Sequence, residues 1–317
     1  MAHQGAGRFA PSPSGQLHLG NLRTAVLAWL FARSTGRNFL IRVEDLDRVR
    51  AGAEQQQLAE LAAMGLRSDQ PIVRQSDQGK RYAAALRHLR ERGLVYECFC
   101  TRRDIAEAAS APHSRPGFYP GTCRTLTEDE RVRRRTERPP ALRLRSAVET
   151  WSVTDLLAGR IEASVDDFVL QRNDGVIAYN LAVVVDDAAQ GIDQVVRGDD
   201  LLESAPRQAY LASLLDLVIP AYAHVPLAVT PEGRRLAKRD GAVTLEDLGP
   251  LGWTPTAVLA LILTSLGLPG GSLELALESF APDRLPRNQW IVDPVHLSSP
   301  TDRPACKPSA STDRVHP

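Results

Sequence analysis

With 317 residues the chain is long enough for one large or two medium domains, and its 43% hydrophobic and 24% charged residues match ordinary globular usage. Thirty-eight Lys and Arg balance thirty-eight Asp and Glu, so there is no global electrostatic pull toward nucleic acid and any RNA contact needs a local basic patch. No apolar run approaches the ~20 residues that span a bilayer, and residues 1–7 lack the apolar core of a signal peptide, so a cytoplasmic protein with no membrane partner is expected.

Residues 8–10 read as a strand that breaks at Pro11 and Pro13 and turns at Gly15. A helix follows over 21–35, with Leu22, Val26, Leu27, Leu30 and Phe31 at helical spacing and Gly36 as its stop. A second strand at 38–43 completes a strand, helix, strand order, the unit of a parallel sheet covered by helices, so the expected class is α/β. Helices follow over 53–64 and 80–92. After Tyr96 the pattern changes: Cys98, Cys100, Pro112, Pro116, Pro120, Gly121 and Cys123 interrupt any long element, which marks an insertion. Short β-prone runs between 141 and 177 give that insert strands.

A helix at 179–189 returns the chain to the main fold. Strands at 192–197 and 224–229 rejoin the sheet around a helix at 205–217, and Thr254-Pro255 starts a helix over 257–266. From 297 onward Ser, Thr, Pro and Asp dominate, and a disordered tail containing Cys306 is expected. The expected organisation is 1–96 and 179–240 as two halves of one catalytic domain, 97–178 as the insert, 241–296 as a helical segment and 297–317 as tail.

Two segments over two hundred residues apart carry the chemistry. In Arg8-Phe9-Ala10-Pro11-Ser12-Pro13-Ser14-Gly15-Gln16-Leu17-His18-Leu19-Gly20-Asn21, His18 and Gly20 fall just before a helix N-terminus, where unpaired N–H groups and the positive end of the dipole favour phosphate. In Arg235-Leu236-Ala237-Lys238-Arg239 a flexible ammonium can reach a phosphate as a point charge. Gly20 would let an adenine lie against backbone. The bland alternatives are a structural helix-start histidine and a solvated cationic loop.

Cys98, Cys100 and Cys123, with Tyr119 four residues before the last, have spacing compatible with a zinc site or with ordinary reduced thiols. Arg131, Arg133, Arg134, Arg135, Arg138, Arg143 and Arg145 form the best candidate RNA patch or, equally, a solvated helix face.

The paired segments resemble the two signatures of class I aminoacyl-tRNA synthetases, with His18-Leu19-Gly20-Asn21 as the first and Leu236-Ala237-Lys238-Arg239 as the second. Ala237 departs from the Ser common at that place, which implies altered loop stability with the essential ammonium retained. The Arg8 to Gly15 opening, Val43-Glu44-Asp45-Leu46-Asp47 and Val196-Arg197-Gly198-Asp199-Asp200-Leu201 are more narrowly similar to glutamyl-tRNA synthetases, over residues 7–265.

That resemblance implies a Rossmann-like catalytic domain and an ATP site of His18, Gly20, Asn21 and Lys238, probed catalytically by His18 and Lys238 and served by Mg. It also implies an L-glutamate pocket built on Arg8, Phe9, Ala10, Pro11 and Ser12. Arg8, Arg197 and the Tyr179 hydroxyl would receive the carboxylates, and Glu44 the α-ammonium, with Ser12 adding a hydroxyl nearby. The bland reading of Arg8 and Glu44 is an internal salt bridge.

About fifty residues follow Lys238 before the tail, too few for the helical anticodon-reading domain of a full-length member, so the chain resembles the short branch, the glutamyl-queuosine tRNA(Asp) synthetases. Members of that branch activate glutamate without tRNA and transfer it to the wobble queuosine of tRNA(Asp). The resemblance implies one structural zinc on Cys98, Cys100, Tyr119 and Cys123, the anticodon stem-loop of tRNA(Asp) as partner, and action as a monomer. Asp and Arg side chains of the insert are candidates for holding the queuosine ring. Three rival readings are an enzyme charging tRNA(Glu), a small-molecule nucleotidyltransferase, which leaves Arg8, Glu44, Tyr179 and Arg197 unexplained, and a non-catalytic tRNA-binding paralogue.

Overall fold

The computed structural model describes residues 5–101, 103–105, 118–236 and 243–297. Lys238, Cys306 and the expected tail beyond 297 lie outside the described residues. Strands β1 (Ala6–Phe9), β2 (Asn38–Val43), β3 (Val73–Arg74), β6 (Thr150–Asp155), β7 (Gly159–Ser164), β9 (Ile192–Gly198) and β10 (Ala221–Val225) form one sheet in the order β3-β2-β1-β9-β10-β6-β7. All neighbours run parallel except the β6–β7 hairpin at one edge. The expected α/β class is therefore borne out, and it has a physical cause. β1, β2 and β9 are buried almost throughout, as strands must be when helices cover both faces, with Arg8, Arg42, Gln194 and Arg197 as the buried polar exceptions.

Helix α1 (Leu19–Ser34) follows β1 and is buried nearly all round, with Leu22, Leu27, Leu30 and Phe31 almost fully enclosed. Each such side chain contributes roughly 1.5–3 kcal/mol of burial. Helices α2 (Ala53–Ala63), α7 (Pro255–Ser265) and α8 (Leu273–Glu278) share this core through Leu61, Val258, Ile262 and Leu273. A second core joins α3 (Gly79–Glu91), α5 (Tyr179–Ala189) and α6 (Ser204–Leu214) to a three-stranded antiparallel sheet of β4 (Val95–Cys98), β5 (Ala141–Leu144) and β8 (Val169–Gln171). Helix α4 (Glu128–Glu137) stands on that small sheet's side and buries none of its residues.

Three expectations change. The strand expected over 224–229 is split into β10 and β11 (Ala228–Val229), because Pro226 has no N–H to donate to a ladder and its carbonyl accepts from Arg23 at 2.7 Å. The segment expected as helical over 241–296 also supplies a short strand, β12 (Trp290–Ile291), which pairs parallel with β11. β6 and β7, from the middle of the expected insert, belong to the main sheet rather than to the small one. Helix boundaries elsewhere agree within a few residues, and α5 matches its expected span.

Candidate active site

β1 neighbours β2 on one side and β9 on the other, so connections leave β1 in opposite directions and open a crevice at the carboxyl ends of the strands. A cleft of about 900 Å³ occupies that place. Its floor is the Pro11-Ser12-Pro13-Ser14 loop, fixed by backbone bonds from Glu44 to Pro11 (3.0 Å) and Arg50 to Pro13 (2.9 Å). Two side chains of α2 finish the job: Gln57 donates to the carbonyls of Ser12 and Gly15, and Glu60 accepts from the Leu17 N–H at 3.2 Å. Gly15 sits at φ 151°, a conformation that side chains rarely allow.

His18 is the N-cap of α1. Its Nδ1 accepts from the Asn21 N–H at 3.3 Å while the Asn21 side chain accepts from the His18 N–H at 3.2 Å. In the neutral ring that bond leaves the proton on Nε2. A Cβ on Gly20 would lie 3.0 Å from both the Ala228 Cβ and the His18 ring, so glycine here lets the helix start pack against β11 and the histidine. The expectation had assigned this glycine to an adenine alone.

The first turn of α1 lines the cleft through His18, Gly20, Asn21 and Thr24, so the positive end of its dipole faces the opening. Arg235 and Leu236 line the same cleft. Just past residues 237–242, Val243 accepts from the Leu19 N–H at 2.9 Å and Thr244 bridges to His18. The downstream flank of the Lys238 segment therefore meets the His18 turn, while the upstream flank is tied to β11 through Leu236 and Arg235.

At the other end of the cleft lie Arg8, Phe9, Ala10, Pro11, Ser12, Glu44, Tyr179 and Arg197. Arg8 and Glu44 both enter internal ion pairs, as the bland alternative expects, though with other partners than each other. Arg8 directs Nε and one Nη to Asp187 (3.1 and 3.4 Å), and Arg42, fully buried, bonds Asp187 at 2.7 Å and Glu44 at 3.3 Å. Asp186 is held by neutral donors, Tyr82 at 2.7 Å and Gln75 at 2.8 Å. Two guanidinium groups thus face three carboxyls.

Burial pushes Glu44 up despite Arg42 and Arg8, and burial likewise pushes Asp186 up. For Asp187 burial acts the same way, but Arg8 and Arg42 outweigh it and hold the group below the usual carboxylate range. An added cation beside Glu44 would complete the charge balance, which is what an ammonium supplies.

Arg197 donates to His224 at 3.0 Å and to Gln208 at 2.7 Å, and its Nη1 lies 3.5 Å from the Tyr179 hydroxyl. The sequence reading missed Arg42, Asp186, Asp187, Asp155, His224, Gln208, Gln57 and Glu60.

The three thiols Cys98, Cys100 and Cys123 converge within 4.8 Å of one another in the insert. The Tyr119 hydroxyl lies 3.3 Å from the Cys98 sulfur and 3.7 Å from that of Cys100, at a fourth corner. Sulfurs so spaced and an oxygen donor fit a tetrahedral metal. Without a metal, shared hydrogen bonds from Cys98 pull the Cys123 thiol down to about 6, and the same contact with Cys123 pushes Cys98 up to about 12.

Of the expected basic patch, Arg143 and Arg145 turn inward. Arg143 is buried with its guanidinium 3.7 Å from the centre of the Tyr119 ring, and Arg145 lies over Tyr96. Arg131 and Arg135 pair with Glu128, and Arg135 also with Glu97. The cationic surface is smaller than residue counting implies.

A mostly parallel sheet with a phosphate-ready helix start at its switch point, opposite an amino-acid-sized charged pocket, defines the class I synthetase type of nucleotide-binding domain. The model of "tRNA synthetases class I (E and Q), catalytic domain" matches residues 6–279, and the chain belongs to that family of ligases. Its relatives are specific. A glutamyl-Q tRNA(Asp) synthetase of Nocardia farcinica is 62% identical over 301 residues, covering 95% of this chain and 97% of the relative. One of Cutibacterium acnes is 54% identical, covering 83% and 76%. The resemblance read from the motifs is thereby borne out.

A crystal structure of a glutamate tRNA ligase from Elizabethkingia meningosepticum, in complex with its amino acid, superposes with a TM-score of 0.80. It is 24% identical and covers 93% of this chain and 68% of that one, a likeness of fold.

Proposed function

We propose that the cleft binds ATP and L-glutamate together, forms glutamyl-adenylate without tRNA, and passes the glutamate to the queuosine base at the wobble position of tRNA(Asp). The observation that carries the reading is convergence: His18, Gly20, Asn21, Arg8, Phe9, Ala10, Pro11, Ser12, Glu44, Tyr179 and Arg197, drawn from four separate stretches of chain, line one cleft. Arg197 and Tyr179 receive the side-chain carboxylate, Arg8 adds positive charge, Glu44 receives the ammonium, and Ser12 adds a hydroxyl.

The α-carboxylate then attacks the α-phosphorus of ATP, forming the O–P bond as pyrophosphate leaves with the bridging electron pair. His18 and the helix start at Gly20 and Asn21 stabilise the charge that builds on the phosphates. Lys238 does so from the opposite side, a role supported by Arg235 and Leu236 lining the cleft and Val243 bonding Leu19. Bound Mg would neutralise the leaving pyrophosphate.

Cys98, Cys100, Tyr119 and Cys123 hold one structural zinc, which would brace the insert against the anticodon stem-loop. We place the protein in the cytoplasm and infer that it acts as a monomer; no single described helix is long and apolar enough to cross a membrane.

Glutamate-dependent ATP–pyrophosphate exchange without tRNA tests activation, and labelled glutamate transfer to tRNA(Asp) with and without queuosine tests the acceptor. Exchange that ignores glutamate sinks the first half. Stable label on unmodified tRNA(Asp), or on tRNA(Glu), sinks the second.

A further inference from the structure

Arg197 differs from Arg8 in how its charge is balanced. Arg8 faces a carboxylate directly, whereas Arg197 donates its Nε–H to a histidine, His224, at 3.0 Å. That bond needs a lone pair on Nε2, so the ring proton sits on Nδ1, where it faces Asp155 at 2.7 Å. Asp155 and His224 are almost wholly enclosed, with side chains 0% and 1% exposed. Asp155 is further fixed by the backbone N–H groups of His224 (3.0 Å), Leu157 and Ala158 (both 2.8 Å).

Gln208 accepts from Nη1 of Arg197 and is itself oriented by donating to Asn180 at 3.0 Å. The Tyr222 ring stacks on the imidazole, 6.0 Å between centroids, and lies 5.6 Å from the guanidinium carbon.

We propose that Asp155 and His224 form a buried relay that fixes the Arg197 guanidinium as the carboxylate receptor of the cleft, and that this pair sets glutamate affinity without touching substrate. The inference rests on the reading of Arg197 given above. Of Asp155, His224 and Arg197, only Arg197 lines the cleft.

The relay has a chemical logic. A carboxylate bonded directly to Arg197 would compete with the substrate carboxylate for the same fork. A neutral imidazole between them lets Asp155 balance the charge from a distance and keeps carboxylates off the fork, whose Nη2 meets the Leu201 carbonyl at 3.4 Å. Holding the guanidinium in place beforehand also removes the ordering cost from binding. Both residues are positioning residues.

The test uses the full-length chain with two substitutions. His224→Leu removes the acceptor at similar volume, and His224→Gln restores one, since its amide oxygen can accept from Arg197 while its NH₂ donates to Asp155. In pyrophosphate exchange, His224→Leu should raise the KM for glutamate by about tenfold or more with the KM for ATP within about twofold, and His224→Gln should recover most of the loss. An unchanged glutamate KM in His224→Leu, a parallel rise for ATP, or equal effects of Leu and Gln would overturn the proposal.

Nitrogen NMR of the wild type gives a readout independent of activity. The His224 ring should be the Nδ1–H tautomer, and the Arg197 Nε–H should be protected from solvent exchange and lose that protection in His224→Leu. An Nε2–H ring or an unprotected Arg197 refutes the relay. If the wild type exchanges no pyrophosphate with glutamate, the activity reading fails, while the NMR result still decides whether the relay holds Arg197.

Discussion

The charged cluster under the cleft and the thiol cluster of the insert both crowd polar groups into buried space, and they resolve the crowding differently. Around Asp187, strand and helix supply both signs, so Arg8, Arg42 and Asp187 satisfy one another within the fold. Around Cys98, Cys100 and Cys123 the side chains that converge are three thiols and a phenol, helped by the backbone N–H groups of Phe99 and Cys123, and no carboxylate joins them. The first is built before any ligand arrives and is one cation short. The second has the spacing to take up a metal ion. The charged cluster is held by ion pairs of its own, whereas the thiol cluster offers a ligand set that a cation would complete.

The sharpest way to break this contrast is to remove the metal. Purified protein should carry about one zinc, and Cys123→Ser should lose it. Thiolate sites bind with ~10 kcal/mol or more, so chelation should lower the unfolding temperature strongly while glutamate-dependent exchange continues. That separation is expected because none of the four donors lines the cleft. Exchange lost in step with zinc would merge the two regions into one.

Asp187→Ala should cost about 3–5 kcal/mol in urea unfolding, because it strands the buried Arg8 guanidinium and takes from Arg42 one of its carboxylate partners. A loss under ~1 kcal/mol would mean the cluster does not hold the pocket.

Gly20→Ala should cost roughly 1–3 kcal/mol as its methyl meets Ala228 and the His18 ring, and it should raise the KM for ATP more than that for glutamate.

Acidity sharpens the comparison within the charged cluster itself. Burial raises Glu44, so its anion is lost on acidification at a higher pH than an ordinary carboxylate's. The glutamate KM should then climb by about tenfold per pH unit below that point. Asp187 is shifted down, so its stabilising charge is fully present in that window. Its contribution fades only as pH falls from the ordinary carboxylate range through the depressed value. Measuring KM and unfolding midpoints together should find affinity failing first; stability failing first would reverse the assignment.

The contiguous parts of the site were legible because one stretch of chain writes them. β1, its proline loop and the cap of α1 carry Arg8 to Asn21 in order, and the break from apolar strand to Pro and Gly is visible as text. The parts assembled from distant elements were not. Arg42 in Asn38-Phe39-Leu40-Ile41-Arg42-Val43 is a charge inside a buried strand, and Asp186-Asp187 follows three valines inside an apolar helix. Each was a signal that a partner must exist, since a lone buried charge is too costly, but neither says where that partner is. His224 and Asp155 were hidden the same way, on two neighbouring strands sixty-nine residues apart. The extent of the basic patch was illegible for the converse reason: seven arginines close in sequence say nothing of which ones, here Arg143 and Arg145, point inward.

The flanks of residues 237–242 are both fixed. Leu236 is tied to Ala228, Val243 to Leu19, and α7 buries Val258 and Ile262 against α1. The segment carrying Lys238 is therefore anchored at both ends on the same packed core, so its two ends are held in register with α1 and β11 whatever the segment itself does.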